Sequence, residues 1–148
     1  MSYLSQVKKP TPQAPVTTIV GFAGSGKSSL AGLFPSPIFI QAENATSVFE
    51  TMPEDLQPAF FPQLPIANAK RNIKTSEVLF EQLRELMTVE HGFKTVVIDS
   101  ITALNIMFEN EVVEFDDKGA SNIGEAQGGY NKGYLVVAGM HAKLRSAC

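Results

Sequence analysis

Continuous apolar, β-branched runs punctuate the chain at Val16-Thr17-Thr18-Ile19-Val20, Ile38-Phe39-Ile40 and Thr95-Val96-Val97-Ile98. Each reads as a strand, and the last, running unbroken into Asp99, reads as a parallel strand covered on both faces. Between them the apolar spacing changes to that of a helix. Val78, Leu79, Leu83, Leu86 and Met87 form one stripe, opened by Thr75-Ser76-Glu77 as a hydroxyl cap with an acid in the first turn and closed at Gly92. Leu104, Met107, Phe108 and Val112 form another, which Ser100 can cap. A shorter helix follows Ser28 and must stop before Pro35 and Pro37. Residues Tyr134 to Arg145 fit a helix through Leu135, Val136, Met140 and Leu144, or a strand through Tyr134–Val137; the helix is favoured. Strands alternating with helices predict an α/β fold with a mostly parallel sheet.

Three stretches lack periodicity. Residues 1–15, with Lys8, Lys9, Pro10, Pro12 and Pro15, read as a flexible tail ahead of a single domain at 16–148. Residues 51–65 carry four prolines and read as an irregular excursion that Phe60-Phe61 pins to the core. Residues 115–133 are polar and glycine-rich and read as a long mobile loop. The densest basic cluster, Lys70, Arg71 and Lys74, reads as a solvated surface, with a nucleic-acid or phosphate contact as the alternative. His91 sits at a predicted helix C-terminus, where a cation is favourable, and receives no catalytic role.

Composition adds mainly exclusions. A net charge of −3 argues against a chain that holds nucleic acid by overall charge. The one cysteine, Cys148, cannot form an internal disulfide or anchor a zinc cluster. No run approaches the ~18 apolar residues of a membrane span, so a soluble cytoplasmic protein is expected.

The chemistry concentrates at Gly21-Phe22-Ala23-Gly24-Ser25-Gly26-Lys27-Ser28, which fits G-x-x-x-x-G-K-[ST] between a strand and a helix. A triphosphate needs many converging donors. Glycines let backbone N–H groups of residues 21 to 29 approach its oxygens, and the helix start adds partial positive charge. Lys27 can reach the β- and γ-phosphates, and the Ser28 hydroxyl can hold Mg²⁺. Gly21 through Ser29 are therefore the candidate nucleotide-binding residues. Asp99, ending its strand, matches the acid associated with Mg²⁺ in P-loop enzymes. Glu43 follows the second strand, at the sheet end where ligands of open α/β sheets bind; the alternative is a solvated loop acid.

With these residues in hand, the chain resembles the RecA-type ATPase core. The likeness is greatest to compact phage-encoded, AAA-type P-loop ATPases of single-strand annealing and recombination. It is carried by the loop at 21–28, by Phe39-Ile40-Gln41-Ala42-Glu43 and by Val96-Val97-Ile98-Asp99-Ser100-Ile101-Thr102-Ala103-Leu104, and spans residues 16–145. It implies ATP and Mg²⁺ as ligands, Lys27 and Glu43 as catalytic groups, Glu43 orienting the attacking water, and Ser28 and Asp99 at the metal. It also implies single-stranded DNA at residues 115–133, where Tyr130 and Lys132 are the available contacts, a homo-oligomer, no membrane, and the cytoplasm of a bacterial host.

One departure carries an expectation. The family's sheet places a later strand, tipped by a polar sensor, between the P-loop strand and the Asp99 strand. That strand would begin near Cys148, so the domain is expected to lack its last strands. Alternatives are that Tyr134–Gly139 is the strand, with His141 as sensor, or that a partner completes the sheet. The functional expectation is an Mg²⁺-dependent ATPase of phage recombination. The rivals are a nucleotide-binding module with little hydrolysis and, less favoured, a nucleotide or small-molecule kinase.

Overall fold

The computed structural model describes residues 7, 14–44 and 46–147. Lys8, Lys9 and Cys148, and so most of the expected tail, lie outside them. The chain is α/β: a three-stranded parallel sheet in the order β2-β1-β3, flanked by helices. β1 spans Pro37–Gln41, β2 Ala59–Phe60 and β3 Thr95–Asp99. The helices are α1 (Lys27–Gly32), α2 (Thr75–Thr88), α3 (Ile101–Glu114) and α4 (Lys132–Ala147).

β1 is the central strand. Ile38, Phe39, Ile40 and Gln41 are buried, and the register runs from Pro37 opposite Thr95 to Gln41 opposite Asp99. Its other neighbour, β2, lies inside the proline-rich excursion. Residues 51–65 thus supply a short edge strand as well as irregular chain, because between Pro58 and Pro62 the N–H groups of Ala59, Phe60 and Phe61 survive, and that of Phe61 donates to the Phe39 carbonyl. Phe60 packs against Phe39 and Phe49, and Phe61 against the main core, so the aromatic pair does pin this segment.

The main core joins the two stripes legible in sequence. Leu79 and Leu83 of α2 meet Leu104, Phe108 and Val112 of α3, with Ile40 beneath and Val137 and Leu144 of α4 closing the side. Met87 falls off that face and is exposed. A smaller cluster of Ala31, Phe39 and Phe49 holds α1 to the sheet, and a Cβ on Gly32 would stand 2.5 Å from the Phe49 ring.

One element differs from expectation, and one alternative falls away. Val16–Val20 is not a strand: it joins no ladder, and Val16 and Val20 are exposed at 77% and 88%. Among the described residues it pairs with no strand, and β3 pairs with β1 alone. A β-branched run without a partner gains neither ladder hydrogen bonds nor cross-strand packing. Ile19 alone packs inward, on the smaller cluster. Tyr134–Gly139, in turn, lies wholly within α4, which removes it as the intervening strand. His141 on that helix bonds Asn105 at 3.0 Å and stacks edge-on to Phe108, so it packs against α3 instead of tipping a strand.

Helix ends follow local chemistry. Ser100 caps α3 by accepting from the Ala103 N–H at 3.2 Å. The ring of His91 meets the Leu86 carbonyl at 2.7 Å, at the end of α2. The start of α2 is capped differently from the sequence reading. Thr75 turns its hydroxyl to the Pro65 carbonyl, and Glu111 of α3 accepts from the Ser76 N–H at 2.7 Å and its hydroxyl at 2.5 Å. A buried carboxylate from across the core thus replaces the local hydroxyl cap. Among the described residues no helix is long and apolar enough to cross a membrane.

Candidate functional site

Gly21–Ser28 forms a wrapped turn leading directly into α1. The Ser25 N–H reaches the Phe22 carbonyl at 3.2 Å, and the Leu30 N–H reaches that of Gly26 at 2.9 Å. Gly24 and Gly26 adopt φ of 74° and 80°, a region that favours glycine. Gly21 leaves room for a neighbour: a Cβ there would stand 2.7 Å from the Ser25 hydroxyl, which would have to turn away. The loop is exposed from Gly21 to Gly26, Phe22 included, and again at Ser29, while Lys27 and Ser28 are half-buried.

Two side chains of the loop are already engaged. Lys27 folds back and donates to the carbonyls of Gly21 and Phe22, at 3.0 and 2.8 Å. Ser28 donates its hydroxyl to Asp99 Oδ2 at 2.6 Å. That bond spans 71 residues of sequence and brings the loop to the carboxyl end of β3. Beyond β1, the N–H groups of Ala42 and Glu43 both donate to the Asp99 carbonyl, at 2.9 and 3.2 Å. Lys27, Ser28, Asp99 and Glu43 therefore converge at the carboxyl ends of β1 and β3, with the Glu43 side chain in solvent. The peptide bond after Asp99 is cis.

The oxygens present suit a hard cation delivered with phosphate. Ser28 and Asp99 supply a hydroxyl and a carboxylate within hydrogen-bond distance, and Mg²⁺ commonly takes one or two such ligands and completes its shell with water and phosphate oxygens. Among the described residues no cluster of three or more His, Cys, Asp or Glu forms a protein-only cage.

Residues 115–131 are more ordered in their bonding than their composition suggested. Asp116 accepts N–H bonds from Lys118, Ala120 and Gln127, the last at 2.7 Å. That bond from Gln127, with those from Ala120 and Lys118, holds its carboxyl below the ordinary carboxylate range. Glu125, lowered chiefly by the Ser121 hydroxyl, ties the loop a second time. Tyr130 stands at the loop's end, 94% exposed. Tyr130 and Lys132 are not brought to the phosphate loop by any described contact.

Some structural contributors gave no sequence signal. Gln41 is buried and donates to the Phe61 carbonyl, extending the sheet's carboxyl end, and Glu111 is a buried acid on an otherwise apolar helix face. Glu111 does recur at seven residues from Leu104, within the apolar stripe, which is the one hint that it turns inward.

A parallel sheet flanked by helices, with a glycine-rich G-x-x-x-x-G-K-S turn opening its first helix, defines a P-loop nucleotide-binding fold. A family model described as AAA domain matches residues 13–145, and the chain belongs to that family of nucleotide-binding, ATPase-type domains. No curated protein and no solved structure matches it.

Proposed function

We propose that the protein binds ATP with Mg²⁺ and hydrolyses its β–γ phosphoanhydride bond, in service of DNA recombination or single-strand annealing. The observation that carries the reading is the Ser28–Asp99 bond, because it unites the phosphate loop with the strand-ending acid. On nucleotide binding Lys27 exchanges its two carbonyl partners for phosphate oxygens, and Ser28 and Asp99 become the groups that hold the metal. Bound Mg²⁺ would offset charge developing on the phosphates. Glu43 orients a water for in-line attack on the γ-phosphorus, and ADP and inorganic phosphate leave. Single-stranded DNA is assigned to residues 115–133, where exposed Tyr130 offers a flat face and exposed Lys132 a charge.

A second reading, a nucleotide-binding module with little turnover, is favoured by one observation: Val16–Val20, which leads into the loop, has no ladder to steady it. Phosphate release from ATP, with and without single-stranded DNA, separates the two. Lys27→Ala is expected to lower kcat/KM at least about 100-fold, or about 2.7 kcal/mol of transition-state stabilisation. Glu43→Gln is expected to keep nucleotide affinity while turnover falls about 100-fold. Wild-type release no greater than that of Lys27→Ala would leave only the binding module.

A further inference from the structure

Asn68–Ile73 is a tight turn held from several sides. Asn68 and Ile73 exchange backbone bonds of 2.8 and 2.9 Å as an antiparallel bridge. The Asn68 side chain accepts from the Arg71 N–H at 3.0 Å, and Asn72 takes a left-handed φ of 51°. From outside, α3 grips the same segment: Glu114 accepts from the Ala69 N–H at 3.0 Å, while Glu111 holds Ser76. Lys74 closes the base, bonding Glu77 at 3.0 Å and lying 5.3 Å from the centre of the Phe115 ring. Two side chains of the turn take no part. Lys70 and Arg71 are exposed and, among the described residues, have neither a hydrogen-bond nor an ion-pair partner. Two cations are thus presented on a scaffold with little freedom left to lose on binding.

The turn also has a telling address. Backbone bonds from Phe61 to Phe39 and from Leu64 to Gln41 carry the chain past β2 to the carboxyl end of the sheet, and the turn follows beyond it. It is not part of the phosphate site, since α3 separates Asp99 from Glu111 by about 18 Å at 1.5 Å per residue. It adjoins the glycine-rich loop instead, whose first residue, Phe115, lies under Lys74. That loop ends in five consecutive residues of positive φ, Gln127 (60°), Gly128 (87°), Gly129 (82°), Tyr130 (55°) and Asn131 (59°). Three are not glycine, a conformation that persists only when its surroundings enforce it. Asp116 on the Gln127 N–H and the Gly124 carbonyl on the Asn131 N–H supply that enforcement, and the outcome is an exposed tyrosine ring.

We infer that Lys70 and Arg71 contact consecutive phosphates of a single-stranded nucleic acid whose bases stack toward the loop bearing Tyr130. This rests on the assignment of single-stranded DNA to residues 115–133. Two cations on a turn whose base meets the first residue of that loop, together with the loop's exposed Tyr130, match what single strands require, since their bases are free to stack. Two cations at one turn of a chain of net charge −3 are too few for a duplex, whose binding commonly engages about 6–10 phosphates.

The test is fluorescence anisotropy of a labelled oligothymidylate titrated across salt concentrations, with an oligouridylate of equal length to tell DNA from RNA. Each phosphate contact on a single strand contributes about 0.7 to the slope of log affinity against log salt. The double variant Lys70→Ala, Arg71→Ala should flatten that slope by about 1.4 and bind more weakly, with its melting temperature unchanged. Asn68→Ala, which loosens the turn but keeps both charges, should bind more weakly at unchanged slope. Tyr130→Ala should likewise lose affinity without flattening the slope. A double variant whose slope equals that of the wild type, while Tyr130→Ala still weakens binding, overturns the basic-turn contact and leaves the loop assignment standing. A wild-type protein that ignores both oligonucleotides, or prefers a duplex, overturns both.

Discussion

On one side of the phosphate site, β1 and β3 pair over five residues, with Phe39 and Ile40 fully buried between the helices. On the other, Val16–Val20 carries sequence of the same character and lies in no ladder, with four of its five residues exposed. Nothing intrinsic to the two runs separates them. β1 has neighbours on both edges and an aromatic cluster beneath, whereas Val16–Val20 has only the contact of Ile19. Strand propensity is a fit to a half-buried pleated surface, and it has no effect where that surface is missing. The phosphate loop therefore hangs from a firm side through three links: the Ser28–Asp99 bond, Ala31 in the smaller cluster, and Gly32 against Phe49.

This contrast can be broken most forcefully at the core. Phe108→Ala is expected to cost about 3–5 kcal/mol, because the ring is fully buried among α2, α3 and α4. Val20→Ala, on the weak side, should fall within about 0.5 kcal/mol of wild type. Urea denaturation of both variants measures the difference, and equal losses would contradict the asymmetry. Glu111→Ala should come next, at about 1–3 kcal/mol, since it leaves the Ser76 N–H buried without a partner. Thermal melts beside Glu114→Ala, whose carboxylate is exposed, separate a buried cap from a surface one. The smallest effect is a pH dependence confined to the 115–131 loop. Asp116 and Glu125 both have folded pKa values below their ordinary 3.8 and 4.5. A lowered carboxyl binds fewer protons folded than unfolded, so its contribution is complete above the ordinary value and fades as pH falls through the folded one. Protection of the Lys118, Ala120 and Gln127 amides, taken relative to their intrinsic exchange rates, should fall as pH drops below the ordinary 3.8 while that of β1 and β3 amides holds.

The sequence disclosed much of this architecture, and its omissions have physical causes. The α2 and α3 stripes, the β1 and β3 runs and the Ser100 cap were legible because each is a local pattern with its own periodicity or offset. The loop at 21–28 was legible because glycine spacing reports backbone geometry directly. Val16–Val20 misled because local pattern says nothing about a neighbouring strand. β2 was masked by Pro58 and Pro62, which leave only Ala59, Phe60 and Phe61 between them, too short a run to show a strand pattern. The cap on Ser76 was invisible because its acceptor lies 35 residues away on another helix. Similarly, spacing placed Glu43 near the phosphate loop, but the bonds tying its backbone to the Asp99 carbonyl arise only once β1 and β3 are in register.

α3 has a further consequence as a piece of mechanics. Its first turn is fixed to the residue after Asp99 through the Ser100 cap, and its last turn holds Ala69 and Ser76 through Glu114 and Glu111. The helix is thus a lever with its fulcrum beside Asp99. With an arm of about 18 Å, a tilt of roughly 10° at that fulcrum sweeps the far end through about 3 Å. A displacement that size is a full hydrogen-bond length, enough to make or break the grip on the Lys70–Arg71 turn.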